Sequence, residues 1–264
     1  MDYEHLIVTR EGPAVWVTMN RPDRLNALNP RLIEELRHFF VDLYWKHDVR
    51  VVVLKGAGRG FCAGLDLKDR SGENTRRTVS ESLKGQRTIS EIVMAMRRCP
   101  QPIVALVNGP ASGGGFAFAL ASDIRIGTPE TRMNAAFIRI GLSACDIGVS
   151  YFLPRLVGSA AASEYMLTGR FIDAERGLKL GLLSKVVAND KLDDEGRAYV
   201  KDMLHATPLG LRLTKEALNH AIDAQSLEAA IAMEDRNQIL CAQGEDFREG
   251  ISAFLEKREP NYSA

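Results

Sequence analysis

Two glycine-containing loops are the parts of this chain whose residue types best suit chemistry. FCAGLD (residues 61–66) follows the β-branched run of residues 51–54, and Gly113-Gly114-Gly115 follows the apolar run of residues 103–107. Glycines at a helix start let the backbone approach a ligand and leave N–H groups free at the positive end of the helix dipole. Two such donors converging on one point would form an oxyanion hole. Close helix–strand packing is an equally good explanation of the glycines taken alone.

Other catalytic signatures are missing from the sequence. The GAGRG loop (residues 56–60) does not complete a dinucleotide-binding motif, because Ala63 stands where the third glycine is needed, and there is no Walker A motif. Ser112 lacks a nucleophile elbow and a paired histidine. The five histidines and four cysteines are scattered without metal-ligand spacing. These absences argue against a Rossmann oxidoreductase, a serine hydrolase and a metal site.

The composition describes an ordinary globular chain. Its 264 residues carry 34 basic and 34 acidic side chains, so the formal net charge is zero. A nucleic-acid or anionic-membrane surface needs a basic excess, so neither partner is expected. No targeting segment precedes residue 14, no apolar run is long enough to span a membrane, and the dispersed cysteines favour reduced thiols. We therefore expect a soluble, cytoplasmic protein.

Hydrophobic periodicity predicts an α/β protein. Strand and helix patterns alternate through residue 130: strands at 14–19, 51–54, 103–107 and 124–126, and helices from Asn29-Pro30 and from Phe116. Residues 66–88 are polar and predict a mobile surface segment, with helical spacing resuming at Ile89. The chain beyond residue 157 reads as mainly helical. Four charged amphipathic stretches there, at 193–205, 208–223, 226–243 and 245–257, predict an appended helical layer.

Four motifs in order resemble the crotonase, or enoyl-CoA hydratase/isomerase, superfamily, and the likeness is collinear from about residue 6 to 262. The resemblance implies an α/β, crotonase-like spiral of ββα units at 1–195, followed by a C-terminal helical trimerisation region at 196–264. It implies an acyl-CoA substrate, no metal or separate cofactor, and a homotrimer or a dimer of trimers. The motifs are GRGFCAGLDL (58–67), PIVALVNGPASGGGFAFALASDIRI (102–126), LPRLVGSAAASEYMLTGRFIDAERGLKLGLLSKVV (153–187) and EGISAFLEKREPNY (249–262).

The resemblance also assigns site residues. The thioester oxygen would lie between the amides of Ala63 and Gly114, where an enolate can form. Cations would bind the coenzyme A phosphates, with Lys257 supplied by a neighbouring subunit or by the C-terminal helix. Asp66 and Asp123 match positions that usually bond loop backbone. The substrate-binding candidates are Arg24, Ala27, Cys62, Asp66, Leu67, Lys68, Gly113, Phe116, Ala117, Phe137, Leu142 and Lys257.

The glutamate pair of the family's hydratases is missing from this sequence. The two positions, three residues after Gly114 and twenty further on, hold Ala117 and Phe137. Methyl and phenyl groups cannot transfer a proton or hold a water between two bases. The ordinary hydration mechanism is therefore not expected.

Asp146 is the remaining candidate acid or base. It resembles the aspartate of the family's dienoyl-CoA and ring-oxepin isomerase branches, with one extra residue between Gly141 and the acid. The alternative is an aspartate that caps the helix beginning near Gly148. With Asp146 active, we expect isomerase-like or variant hydratase chemistry. The competing interpretation is a non-catalytic acyl-CoA binding protein, which would bind acyl-CoA without turnover or exchange of its α-protons.

Overall fold

Two β-sheets form the centre of the protein. The computed structural model describes residues 2–71 and 78–262, except for the side chains of residues 70 and 71. The strands are Leu6–Glu11 (β1), Ala14–Met19 (β2), Val51–Gly56 (β3), Ile103–Val107 (β4), Pro110–Ser112 (β5), Ile124–Gly127 (β6), Arg132–Asn134 (β7), Ile172–Asp173 (β8) and Lys185–Val186 (β9).

Helices cover both faces of the larger sheet and make up most of the chain after residue 148. No helix among the described residues is both long enough and apolar enough to cross a membrane. The helices are Pro30–Leu43 (α1), Leu67–Ser71 (α2), Val79–Arg98 (α3), Gly114–Ala121 (α4), Val149–Val157 (α5), Ser159–Thr168 (α6), Ala174–Lys179 (α7), Leu192–Leu204 (α8), Pro208–Ala221 (α9), Leu227–Ala242 (α10) and Glu245–Glu256 (α11).

The sheet topology repeats a unit of strand, strand and helix. The larger sheet has the order β1-β2-β3-β4-β6-β9, parallel except for β1, and the smaller has the order β5-β7-β8. β4 lies in the larger sheet, β5 in the smaller, and α4 follows; β6 and β7 repeat this placement. The predicted α/β class is confirmed. Because parallel strands begin and end at common edges, the loops after β3 and β4 lie side by side.

Each face of the larger sheet packs against its own helices. On one face, α1, α3 and α4 share the main core, where Leu36 and Phe118 are fully buried. On the other face, Trp16 and Leu106 pack against Leu192 and Val200 of α8. A domain boundary after residue 195 would therefore fall inside α8, a helix that completes the packing of the sheet.

The start of α1 follows from two residues that the sequence placed correctly. The Asn29 side chain accepts a hydrogen bond from the Leu32 amide, and Pro30 occupies the first helical position. The apolar positions of α1 then face the core, as their spacing predicts.

The prediction of a mobile surface segment at residues 66–88 is wrong where the structure describes it. α2 follows the first loop, and α3 begins at Val79 rather than near Ile89. A capping box between Thr78 and Glu81 starts α3, whose first residues are exposed and carry no apolar periodicity. Helical spacing is therefore invisible there. Residues 72–77 lie outside the described residues.

The four predicted C-terminal helices are present as α8 to α11, and a buried lysine fastens α9 to the core. The Lys215 ammonium lies 3.0 Å from an Asp123 carboxylate oxygen. It also donates to the carbonyl oxygens of Met96 and Gln101 at 3.1 and 2.7 Å. Asp123 in turn accepts from the Ile103 amide at the start of β4. Asp123 is thus structural, as the sequence predicted.

We expect Lys215→Met to destabilise the fold by about 3 kcal/mol, because it removes the buried ammonium group that pairs with the Asp123 carboxylate and donates to two carbonyl oxygens. Thermal unfolding at neutral pH measures the effect. Lys201→Met, at an exposed position of α8, is the matched control and should not change the melting temperature. Equal melting temperatures for the Lys215 variant and the native protein would contradict this account.

Candidate active site

The two glycine-containing loops are joined by backbone contacts. Cys62 bridges to Ala111, and the Ser112 amide donates to the Cys62 carbonyl oxygen at 2.9 Å. Gly64 has a φ of +86°, and a Cβ on it would lie 2.7 Å from the Ser112 oxygen and 3.4 Å from the Gly114 nitrogen. Only glycine fits this conformation and this close approach. The first loop is therefore pressed against the start of α4.

The structure contradicts the assignment of Ala63 to an oxyanion hole. The Ala63 amide donates to the Leu25 carbonyl oxygen at 2.9 Å. An N–H that is already bonded within the protein is not available to a substrate oxygen. Ala63 instead holds the first loop against the turn after β2.

Leu65 carries the free donor of the first loop. It bridges to Leu28, whose amide donates to the Gly64 oxygen at 2.7 Å and whose oxygen accepts from the Asp66 amide at 3.0 Å. The Leu65 N–H lies between these two bonds and points away from Leu28, since successive peptide groups alternate in direction. It has no hydrogen-bond acceptor among the described residues.

Gly114 presents the second donor. It is the first residue of α4, and within the part of the chain that the structure describes its amide has no acceptor. The preceding Gly113 has a φ of +53° and donates its own N–H to the Asn134 oxygen at 3.0 Å. A Cβ on Gly115 would lie 2.1 Å from the Cys62 oxygen. The amides of Leu65 and Gly114 therefore meet where the two loops touch.

Apolar side chains surround this pair of amides. A Cβ built on Gly113 would lie 3.5 Å from the Phe137 ring, and one on Gly114 would lie 2.7 Å from Leu28 Cδ1 and 3.7 Å from Ile147 Cδ1. Phe137 thus lies beside Gly113, at the start of α4. The site contains a phenyl group at this position and no carboxylate.

Asp146 directly precedes Ile147, one of the apolar residues beside Gly114. Its Oδ1 accepts from Gln86 Nε2 of α3 at 2.5 Å and from the Ile147 amide at 2.8 Å. The structure contradicts a helix-capping role for this side chain, because Gly148 is the N-cap of α5 and no side chain caps that helix. Burial raises the pKa of Asp146, and the two donors offset part of that rise.

Three predicted substrate contacts are enclosed by the core instead. Cys62, Phe116 and Ala117 have no exposed surface, so their side chains support the loops from behind. Burial also raises the pKa of the Cys62 thiol to about 12, which leaves it protonated and unreactive. Because α4 packs tightly against the first loop, the prediction that these three residues contact the substrate is wrong.

Asp66 is a structural residue rather than a substrate contact. Its carboxylate accepts from Arg21 at 3.0 Å and from the amides of Lys68 and Asp69 at 3.2 and 3.3 Å. Burial raises its pKa, but these hydrogen bonds outweigh burial and leave the pKa below the ordinary value. The structural interpretation is confirmed, and the substrate-binding assignment is wrong because the carboxylate is buried and already accepts three hydrogen bonds within the protein.

The remaining predicted substrate contacts include one buried residue and several exposed residues. Ala27 is buried, whereas Arg24, Leu142 and the α2 residues Leu67 and Lys68 are exposed. Their roles as ligand contacts stay predictions.

Lys257 lies at the opposite edge of the sheet within one chain. Two residues further on, Glu259 contacts His205, and Arg50 donates to the oxygen of the adjacent Ala206. Arg50 precedes β3, so this is the edge where the parallel strands begin. Lys257 therefore does not join the site of its own chain.

The sequence interpretation missed two contributors, Leu65 and Gln86. The Leu65 amide lies inside a quoted motif, but peptide direction is set by the bridge to Leu28 and is not encoded in residue type. Gln86 had a usable signal: Thr78 followed by Glu81 is a capping-box pattern that would have placed residue 86 on a helix. Among the described residues, no three histidine, cysteine or acidic side chains cluster as a metal site.

These features define a class of protein. Two backbone donors at the ends of parallel strands, an apolar wall and one carboxylate suit an enzyme that polarises a carbonyl group and moves a proton beside it. The model of the family described as "Enoyl-CoA hydratase/isomerase" matches residues 10–264.

Known proteins match over nearly the whole chain. A Mycobacterium leprae protein named "Probable enoyl-CoA hydratase echA12" is 39% identical, covering 92% of this chain and 84% of the relative. The 1,2-epoxyphenylacetyl-CoA isomerase of Escherichia coli is 33% identical over 98% of both chains. The crystal structure of an enoyl-CoA hydratase from Bacillus anthracis is 31% identical, covers 98% of this chain and 99% of that chain, and superposes with a TM-score of 0.92.

The chain belongs to the enoyl-CoA hydratase/isomerase, or crotonase, family. Its fold is the α/β crotonase fold with C-terminal helices. It is an enzyme that acts on acyl-CoA.

Proposed function

We propose that this enzyme isomerises the double bond of an enoyl-CoA through a thioester enolate. The amides of Leu65 and Gly114 would bind the thioester oxygen, and Asp146 would carry the proton. In the direction from 3-enoyl to 2-enoyl, Asp146 removes a proton from C2 and the electron pair becomes the enolate. The enolate then collapses, the double bond moves from C3–C4 to C2–C3, and the proton returns at C4.

The single observation that carries this proposal is the position of Asp146. Its carboxylate lies on the residue next to Ile147, which contacts the Gly114 position of the oxyanion hole. The hydratase glutamate positions implied by the family resemblance hold Ala117 and Phe137. One carboxylate can shuttle a proton along an enolised chain, whereas adding water requires the water itself to be activated.

The surroundings of Asp146 support this role electrostatically. An aspartate with an ordinary pKa near ~3.9 is a weak base toward a carbon acid. Burial raises the pKa of Asp146, which makes it a stronger base while it is ionised and increases the fraction that is protonated at a given pH. The apolar wall formed by Phe137 and Leu28 excludes water from the reacting carbons.

We also propose how the coenzyme A portion is held. Arg24, in the turn before α1, and Lys68, in α2, are exposed and would contact the phosphates. Lys257 would reach a site only from a second copy of the chain. α10 has no buried residue in the single chain, and Ile239, Leu240 and Phe254 are between 56% and 82% exposed. Exposed apolar side chains on α10 and α11 suit a homotrimer, or a dimer of trimers.

The experiment is turnover of paired 2-enoyl-, 3-enoyl- and dienoyl-CoA substrates, with the products separated by chromatography. We expect migration of the double bond and no 3-hydroxyacyl-CoA. Conversion of 2-enoyl-CoA to 3-hydroxyacyl-CoA as the main product would contradict the proposal. Acyl-CoA that raises the melting temperature without turnover, and without α-proton exchange in D2O, would identify a non-catalytic binding protein instead.

A further inference from the structure

The Asp146 carboxylate is held by one oxygen and not by the other. Gln86 Nε2 and the Ile147 amide both donate to Oδ1, at 2.5 and 2.8 Å. Oδ2 has no donor among the described residues. The two donors come from separate elements, α3 and the loop before α5, so they fix the rotation of the carboxylate as well as its position.

The loop donor is supplied by a strained residue. Ile147 has a φ of +35°, although β-branched residues strongly avoid positive φ. This conformation directs the Ile147 amide to Oδ1 and lets the Val149 amide reach the Asp146 carbonyl oxygen at 2.9 Å. Strain of this kind persists where surrounding structure imposes it, and it concentrates at functional sites.

We propose that Gln86 is a positioning residue whose side-chain amide holds Asp146 Oδ1, so that Oδ2 is the oxygen that takes up and returns the proton. This inference rests on the proposed role of Asp146. Gln86 itself touches neither the oxyanion-hole amides nor the thioester. Both N–H donors favour the charged form of the carboxylate and so oppose the effect of burial.

Few groups shift the pKa of Asp146, so loss of the Gln86 hydrogen bond should be measurable as a change in that pKa. Burial raises the pKa of Asp146, while the Ile147 and Gln86 donors lower it. Lys84 and Arg87 on α3 and Arg155 on α5 are charged, but none of them contributes to the shift, and α4 presents only apolar residues. Cys145 is the titratable neighbour within the loop and is exposed. Gln86 is thus the only side chain among the described residues that tunes this carboxyl group.

The test is the pH profile of kcat/KM for 3-enoyl-CoA isomerisation in Gln86→Leu and Gln86→Glu. Loss of the donor in Gln86→Leu should move the acidic limb to higher pH by about one unit. It should also lower kcat about tenfold with little change in KM. Gln86→Glu adds a like charge and should move the limb further. Thr88→Val, on the same helix, is the control, because among the described residues the Thr88 hydroxyl bonds only the Lys84 carbonyl oxygen.

The outcomes distinguish a failure of the Gln86 positioning role from a failure of the proposed function. An unchanged acidic limb in both Gln86 variants, with activity still dependent on Asp146, would overturn the positioning role alone. An equal shift in Thr88→Val would also overturn it, since the effect would then belong to the helix. Full activity in Asp146→Asn would instead overturn the proposed function. Because Gln86 is exposed, unchanged melting temperatures should confirm that the variants fold.

Discussion

Asp146→Asn should lower kcat/KM for isomerisation about a thousandfold while leaving acyl-CoA binding nearly unchanged. General acid–base catalysis by one positioned group contributes roughly 10² to 10⁴ in rate. An asparagine carbonyl can still accept from Gln86 and Ile147, so the loop keeps its geometry and only proton transfer is lost. Steady-state turnover and isothermal titration with a saturated acyl-CoA measure the two quantities separately.

The same substitution should stabilise the fold at neutral pH. Burial holds the pKa of Asp146 above its unfolded value, so ionisation of this group opposes folding above the unfolded pKa. Removing the charge should raise the melting temperature by ~1–3 °C at pH 7, and the gain should vanish below about pH 4. Asp202→Asn, at an exposed position on α8, is the control. Loss of activity together with loss of stability would indicate a structural aspartate instead.

Replacing the peptide bond between Gly64 and Leu65 by an ester should lower kcat about a hundredfold. The ester keeps the chain geometry and removes a single N–H, the one that we place on the thioester oxygen. Loss of one oxyanion-hole donor costs about 10² to 10³ in kcat. Incorporation of an α-hydroxy acid at position 65 makes the change, and single-turnover kinetics measure it.

An ester at position 63 is the matched control for this prediction. It removes the N–H that bonds the Leu25 carbonyl oxygen at 2.9 Å. This should cost about 1 kcal/mol of stability and little activity. A large loss of kcat at position 63 with none at position 65 would restore the oxyanion hole predicted from the sequence.

The sequence revealed elements whose physical signal is local. α1 has an asparagine cap, a proline and an apolar stripe, and the strands β3 and β4 begin as apolar runs rich in β-branched residues. The first half of α3 carried no apolar stripe because it is exposed, so periodicity did not reveal it. Its capping box was the usable evidence.

The candidate site was predicted less completely, because its decisive features are set by tertiary contacts. Motifs placed Gly114, Phe137 and Asp146, and the structure brings the three loops that carry them together. Whether Ala63 or Leu65 offers its amide depends on the bridge to Leu28. The orientation of Asp146 depends on Gln86, sixty residues earlier in the chain. Neither the bridge to Leu28 nor the Gln86 hydrogen bond can be inferred from residue types alone.

The most direct test of a single-carboxylate isomerase is the fate of hydrogen from C2 of a 3-enoyl-CoA. A substrate deuterated at C2 is converted in ordinary water, and the product is analysed by mass spectrometry and NMR. One base that shuttles the proton should deliver part of the deuterium to C4 of the 2-enoyl-CoA product, and Asp146→Asn should abolish that product. A 3-hydroxyacyl-CoA product carrying oxygen from water, with no deuterium at C4, would contradict the account.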